Sequence, residues 1–476
     1  MIFSSIYFVF LFLPIVLALY YVVPQSFLPV RNAILLLASL VFYAYGEPVF
    51  VFVLMGSVIV NYLIALLLER KKSKLLLTID VILNIGLLFV YKYLNFFVKT
   101  VNDVAKTEIT VRQIVLPIGI SFFTFQALSY VIDVYRGEKA QHSLPDLALY
   151  ICFFPQLIAG PIVRYHDVAT QLRGRGKDKD REKRQAQFAA GVERFLIGFS
   201  KKVLLANQLA ILADDLFARE SAELSPGMAW LGSLCFSLQI YYDFSGYSDM
   251  AIGLGRMFGF EFLENFDHPY AASSITDFWR RWHMSLSRWF RDYVYIPLGG
   301  SKKGKAKLLR NLFVVWLLTG IWHGANYTFL CWGLLYFVFL TLEKFVFHPE
   351  KMKNKAGKLL YRLFTLAVVN FLWVLFKAED IASGFGFIRA MFSAGGSTPE
   401  GFYVSSFREY GIFLAAAVLF CLPVRTWLLE IGSKNGEGRA AKVAGVLYPL
   451  LLMLLFLWAV SYLILGAHNP FLYFNF

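Results

Sequence analysis

Long apolar stretches separated by short polar breaks dominate the first third of the chain. They lie near residues 5–23, 30–46, 48–68, 75–98 and 114–134, and about 20 helical residues are enough to cross the hydrocarbon of a bilayer. Beyond residue 135 the pattern becomes irregular up to about residue 345. Cleaner stretches return near 358–376, 410–424 and 444–466. The pattern predicts an all-α polytopic membrane protein whose middle contains re-entrant and interfacial helices. No internal repeat, Gly-rich linker or low-complexity tract divides it, so residues 1–476 read as one integral membrane domain. Within it are N-terminal helices (1–135), a core (144–345), and C-terminal helices with a tail (358–476).

Composition supports the membrane assignment. Hydrophobic residues make up 58% of the 476 positions and charged residues only 16%, a balance that no soluble fold of this size requires. Aromatic residues reach 18%, as expected of rings gathered at both membrane interfaces. The formal net charge of +14 is spread over short basic clusters between apolar runs. That distribution is what the positive-inside rule gives, and it argues against a nucleic-acid partner. A basic loop beside a tunnel mouth would also concentrate an anionic substrate such as coenzyme A. The four cysteines stand singly in apolar segments with no CxxC pair, so neither a disulfide framework nor a metal site is implied. The opening MIFSS has no basic n-region, and the first apolar stretch therefore reads as a retained helix.

Loop charge sets the expected orientation. ERKKSK (69–74) is basic and reads as cytoplasmic, which places the N-terminus on the outer face after three crossings. The loops at 136–142 and 164–184 are both basic, so residues 144–163 should enter the membrane and return. Pro155, Gly160 and Pro161 suit such a broken element. Irregular backbone at that depth has to be buried by protein or line a cavity, and a cavity is expected here. The basic runs at 301–310 and 348–358 leave room for two thin crossings. The first arm, 312–322, is too short to span hydrocarbon and would bring His323 to the floor of a thinned region. The last helix would exit outward and leave AHNPFLYFNF (467–476) on the outer face.

Chemistry concentrates in the irregular middle. His323, in TGIWHGANY (319–327), is an ionisable group inside an apolar hairpin, a costly placement that usually marks a pathway or site. A neutral imidazole there can take the proton of an attacking hydroxyl. Asn326 can orient the ring or donate to a developing oxyanion. A structural histidine at a helix break fits the residues equally well. His283 lies among Trp279, Arg280, Arg281, Trp282, Arg288, Trp289 and Arg291, a mixture suited to an interfacial helix. Because His283 and His323 bracket one basic loop, they are placed to meet across a tunnel.

Asp243 and Asp249, in YYDFSGYSDMAIGLGRMFG (241–259), are six residues apart and so not on one helical face. They read as partners of Arg256 or as part of a tunnel wall. Coupled ion transport is the rival reading. No G-x-S-x-G, Walker lysine loop or HExxH occurs. Tyr473 sits in a tail of Phe and Leu; it either packs at the outer rim or offers a hydroxyl near the chain end.

These segments together carry a family resemblance. FFPQLIAGPIVR (153–164), 241–259, NFDHPYAASSITDFWRRWHMSLSRWFRDYVYIPLGG (265–300) and TGIWHGANYTFLCWG (319–333) resemble the membrane-bound O-acyltransferase family, in its bacterial branch containing the alginate O-acetyltransferase membrane subunit. The resemblance covers most of the chain. It implies a helical fold around a funnel, with His323 on the catalytic histidine and His283 on the second motif position. Arg280, Arg281, Trp282 and Trp322 are candidates for the substrate site or tunnel wall. It further implies a cytoplasmic acyl thioester donor, acetyl-CoA in the acetylating branch, with no bound cofactor and no metal. The acceptor implied is an extracytoplasmic polysaccharide, reached through an SGNH or esterase-like partner bearing Ser-His-Asp. FLYFNF looks like tails that present a tyrosine as transient acyl carrier, which points to Tyr473. The expected location is a bacterial cytoplasmic membrane, among its lipids. A transporter using Asp243 and Asp249, or a non-catalytic scaffold for the partner, are the alternatives.

Overall fold

The computed structural model describes residues 1–175, 180–302, 304–393, 395–424, 439–466 and 468–470. Among the described residues the regular structure is helical, with no strand. Eight helices among them are long and apolar enough to cross a membrane. The chain forms two compact units. The first comprises Met1–Phe195, Met250–Glu264 and Arg288–Pro297; the second comprises Leu196–Asp249, Asn265–Ser287 and Leu298–Phe476.

In the first unit a π-turn (Phe8–Phe12) leads into α1 (Leu13–Val22), followed by α2 (Leu28–Gly46) and α3 (Phe50–Arg70). Next come α4 (Lys74–Leu88), which a second π-turn (Phe89–Tyr93) joins to α5 (Leu94–Ala105), and then α6 (Ile120–Arg136). Leu37, Val41, Phe52, Leu63, Ile82 and Leu83 stay exposed on these helices. Such apolar patches suit lipid rather than water. The stretch expected near 114–134 starts only at Ile120, because Gly119 takes a left-handed conformation (φ 78°) and precedes the first helical residue. From Ile120 to Val131 every residue of α6 is buried. A helix apolar and covered on all sides belongs to a core, so α6 packs within the unit.

Residues 144–163 form a broken helix, as their prolines and glycine predict: α7 (Leu144–Cys152), α8 (Phe154–Leu157), then irregular backbone to Arg164. Its polar backbone is satisfied locally, with the Tyr150 hydroxyl donating to the Val163 carbonyl at 2.9 Å and the Phe154 N–H donating to Ser39 Oγ at 3.0 Å. Residues 147–163 are all buried, and a Cβ on Gly160 would lie 2.5 Å from Gln156 Cα. Packed protein therefore covers this segment where a cavity was expected. After α9 (Tyr165–Gly174) come α10 (Arg181–Ser200), a π-turn (Lys201–Ala206) and α11 (Asn207–Ala218). Together they form one spanning-length run, Arg181–Ala218. Lys201 and Lys202 interrupt its hydropathy, which hides the run in the sequence. The 32-residue α12 (Pro226–Met257) follows.

The second unit carries the short helices α13 (Ile275–Arg281) and the start of α14 (Met284–Phe290), then the hairpin α15 (Lys305–His323) and α16 (Tyr327–Leu342). The remaining helices are α17 (Lys355–Lys377), α18 (Ile381–Ala390), α19 (Phe402–Phe420) and α20 (Arg439–Ile464). α15 has 19 residues, about 28 Å at 1.5 Å per residue. The basic turns at its start are helical too, so the arm is not limited to the eleven apolar residues 312–322, and the argument for a thinned membrane from its length falls away. α19 begins at Phe402, eight residues before the stretch near 410–424, and ends at Phe420, three residues before Pro423, where the missing N–H disfavours further helix.

Candidate active site

The second unit brings both histidines into one aromatic core. α15 and α16 approach closely because glycines face one another. A Cβ on Gly333 would lie 2.5 Å from the Trp316 carbonyl and 3.1 Å from Gly320 Cα, and one on Gly320 would lie 2.6 Å from the Phe329 carbonyl. Small-residue contacts of this kind let helix backbones meet inside a membrane. Here they set Trp332, on α16, against His323, the last residue of α15.

His323 is 6% exposed. Trp322, Trp332 and Phe376 surround its imidazole with ring centroids at 5.0, 5.0 and 5.1 Å, all edge-on. Trp332 is fully buried, and its indole N–H has no hydrogen-bond partner among the described residues. Trp322 also reaches His283, with centroids 5.8 Å apart. One indole thus connects the two histidines that the sequence places forty residues apart.

His283 follows α13 and has a left-handed backbone (φ 44°), a conformation uncommon for a residue with a side chain. Asn265, wholly buried, holds it there. Its backbone carbonyl accepts from Met284 N at 2.9 Å, and its side-chain Oδ1 accepts from Ser285 N at 3.1 Å and Ser285 Oγ at 2.8 Å. Its Nδ2 donates to Ser248 Oγ at 3.0 Å. A backbone N–H can only donate, so the Ser285 contact fixes which end of the amide is oxygen. The same oxygen lies 3.3 Å from His283 Nδ1, so Nδ1 carries the proton and Nε2 the lone pair. Nε2 is buried without a hydrogen-bond partner among the described residues. Burial pushes this imidazole down to about 3, which keeps it neutral at ordinary pH.

α13 is itself tied down. The buried Glu343 carboxylate accepts from Ile275 N at 2.7 Å, Thr276 N at 2.8 Å and the Tyr361 hydroxyl at 3.0 Å, while Ser274 Oγ caps Asp277 N at 3.1 Å. These bonds satisfy the N–H groups that a helix start leaves open. Trp282 is buried against Phe278 and Trp373, with centroids at 5.5 and 4.9 Å. Arg281 pairs with Asp277 at 3.0 Å and Asp267 at 3.6 Å, and Arg280 is exposed.

The sequence model of the membrane-bound O-acyltransferase family matches residues 74–349, a stretch that contains both histidines and every segment just described except α17. The chain belongs to the membrane-bound O-acyltransferase family. Among curated proteins it is similar to a probable alginate O-acetylase of Pseudomonas aeruginosa, 43% identical over 410 residues, covering 83% of this chain and 75% of the relative. A probable alginate O-acetylase of Pseudomonas putida is 38% identical over 503 residues and covers both chains completely. A peptidoglycan O-acetyltransferase of Helicobacter pylori is 36% identical over 432 residues, 83% of this chain and 80% of the relative.

Other positions read from the sequence fare differently in this O-acyltransferase. Asn326 is the N-cap of α16: its Oδ1 accepts from Thr328 N at 3.1 Å and its Nδ2 donates to the Glu379 carbonyl at 2.8 Å. Each end of the amide thus makes one bond in holding the turn between α15 and α16 together. Asp243 and Asp249 pair with Lys202 and Lys201 of the π-turn, not with Arg256. Arg256 is seven residues beyond Asp249 on the same helix, about 10 Å along its axis. The lysines come close enough because Gly246 sits between the two acids: a Cβ there would lie 2.8 Å from the Gly198 carbonyl and 3.1 Å from Lys202 N. Tyr473 lies outside the described residues. Asn265, Phe376 and Trp332 had no signal of their own in the sequence, since a lone Asn or aromatic residue is unremarkable until its neighbours are known.

Proposed function

We propose that this membrane O-acyltransferase moves an acetyl group from cytoplasmic acetyl-CoA to an extracytoplasmic polysaccharide, with His323 as general base and His283 as second site residue. The observation that carries the reading is the pair of imidazoles joined through Trp322 inside an aromatic cage. His323 removes the proton of an incoming hydroxyl as its oxygen attacks the thioester carbonyl. A C–O bond forms, the C–S bond breaks, and the proton passes from the imidazole to the departing thiolate. The Trp332 indole N–H is a donor beside His323 that suits the oxygen on which charge develops. His283, neutral and with Nε2 unprotonated, supplies an acceptor for a hydroxyl or thiol proton nearby. The aromatic walls exclude water and so protect the thioester from hydrolysis.

In this reading the hydroxyl that first receives the acetyl group is that of Tyr473, and an SGNH or esterase-like partner on the outer face collects it for the polymer. The N- and C-termini both face outward from a bacterial cytoplasmic membrane. The names of the similar proteins, which act on alginate and on peptidoglycan, support a polysaccharide acceptor. The ion pairs that occupy Asp243 and Asp249 favour acyl transfer over a transporter built on those two acids.

The test uses the full chain in nanodiscs with acetyl-CoA and its partner. His323→Ala should lower CoA release and polymer acetylation by at least 10²-fold, the scale of general-base catalysis, while the protein stays folded. Tyr473→Phe should abolish polymer acetylation. Unchanged CoA release in His323→Ala would reject the base assignment, and full acetylation in Tyr473→Phe would reject the tyrosine relay.

A further inference from the structure

Three consecutive residues beyond α20 are held by side chains of the run from Lys201 to Ala218. His468 Nε2 lies 3.2 Å from one oxygen of Asp214, whose other oxygen accepts from Lys377 Nζ at 2.6 Å. Asn469 Oδ1 accepts from Asn207 Nδ2 at 3.1 Å. The Pro470 carbonyl accepts from Lys202 Nζ, the ammonium that also pairs with Asp243. The order 214, 207, 202 against 468, 469, 470 means that the tail runs antiparallel to the helix.

The chemistry of the last contact is selective. Lys202 and Asp243 have side-chain exposures of 2% and 3%, and an ammonium offers three donors that one carboxylate does not exhaust. A backbone carbonyl takes up another without adding charge. Proline brings that carbonyl with no N–H of its own, so the tail meets the buried pair without importing a backbone donor that needs a partner.

We propose that Asp214, Asn207 and Lys202, the last backed by Asp243, form an anchoring strip that fixes the register of the tail at residues 468–470. On the reading of Tyr473 given above, on which this rests, Lys202 and Asp243 are positioning residues for the acyl transfer. The strip bounds the reach of the carrier: Tyr473 is three residues past Pro470, so its Cα lies no more than about 11 Å from that of the anchored proline.

Two insertions of Gly-Ser test this in the full chain. One goes between Gly466 and Ala467, upstream of the anchor; the other goes between Pro470 and Phe471, downstream. The upstream insertion should leave polymer acetylation within about 3-fold, because the strip resets the register. The downstream one adds up to about 7 Å of chain and should lower acetylation at least 10-fold, with the KM for acetyl-CoA unchanged and less acetyl recovered on the Tyr473 peptide by mass spectrometry. Equal responses to the two insertions would overturn the anchor, and would do so with Tyr473→Phe still inactive. Full activity of Tyr473→Phe would instead remove the relay and the positioning role with it. Asn469→Ala combined with His468→Ala, a change at one half-buried and one exposed position that spares the buried pair, provides a second variant. It should make the upstream insertion as damaging as the downstream one, and continued tolerance of that insertion would also overturn the anchor.

Discussion

Replacing Asn265 by Ala tests the histidine geometry most directly. The side chain makes four contacts in a wholly buried position: one from Nδ2 to Ser248 and three into Oδ1 from Ser285 N, Ser285 Oγ and His283 Nδ1. At about 1 kcal/mol net per hydrogen bond, their loss costs about 4 kcal/mol, a large share of the stability of an ordinary domain. The same change frees the His283 tautomer, since no acceptor then holds the proton on Nδ1. Thermal unfolding in detergent and CoA release in nanodiscs measure the two effects. Asn265→Ala should unfold several degrees lower and release CoA 10- to 100-fold more slowly.

Asn265→Asp separates holding from packing. It keeps an acceptor at His283 Nδ1 but adds a negative charge, which raises the imidazole from its depressed value of about 3. The acid limb of the pH–rate profile should then move to higher pH. In the parent protein the folded value lies below the unfolded one of about 6.5. The contribution of His283 to stability is therefore complete above pH 6.5 and is lost as pH falls toward 3. Wild-type stability and rate in Asn265→Ala, or an unmoved acid limb in Asn265→Asp, would refute the assignment of the tautomer.

Three further outcomes follow from the same contacts. Gly333→Leu forces a side chain into the 2.5 Å gap to the Trp316 carbonyl; because backbone cannot yield cheaply, activity should be lost with a fall in stability of about 1–3 kcal/mol, whereas Leu334→Ala on an exposed position should be nearly silent. Glu343→Ala removes three accepted bonds around α13 and should cost about 3 kcal/mol, with Glu343→Gln recovering part of it; equal unfolding temperatures for all three proteins would contradict the cap. Lys202→Met leaves Asp243 buried without its cation and should destabilise by about 3–5 kcal/mol, while Lys202→Met with Asp243→Leu should recover most of that. Lack of recovery in the double variant, measured by unfolding in detergent, would show that the pair is more than mutually compensating.

That this is a helical membrane protein is legible in the residues alone, because hydropathy is additive along the chain and requires no tertiary partner to be read. The sequence also singled out His323 and His283, since an imidazole in an apolar setting is conspicuous, and it placed a helix break at Pro155 and Gly160, where a missing N–H and a missing side chain act locally. What depends on contacts between distant segments emerges only from the folded chain. α6 reads in the sequence as one more apolar stretch of crossing length but is buried by α3 and α4, and Arg181–Ala218 is one helical run of spanning length in which Asp243 and Asp249 pair with the two lysines that mask it. Asn326 is read from its three-residue spacing as a neighbour of His323, and only the fold shows that its oxygen caps α16 while its nitrogen reaches the Glu379 carbonyl. Asn265 is silent in the sequence and becomes the residue that sets a tautomer. Hydrogen bonds are short and directional, and which groups they join is known only once the chain has brought them within 3 Å or so of one another.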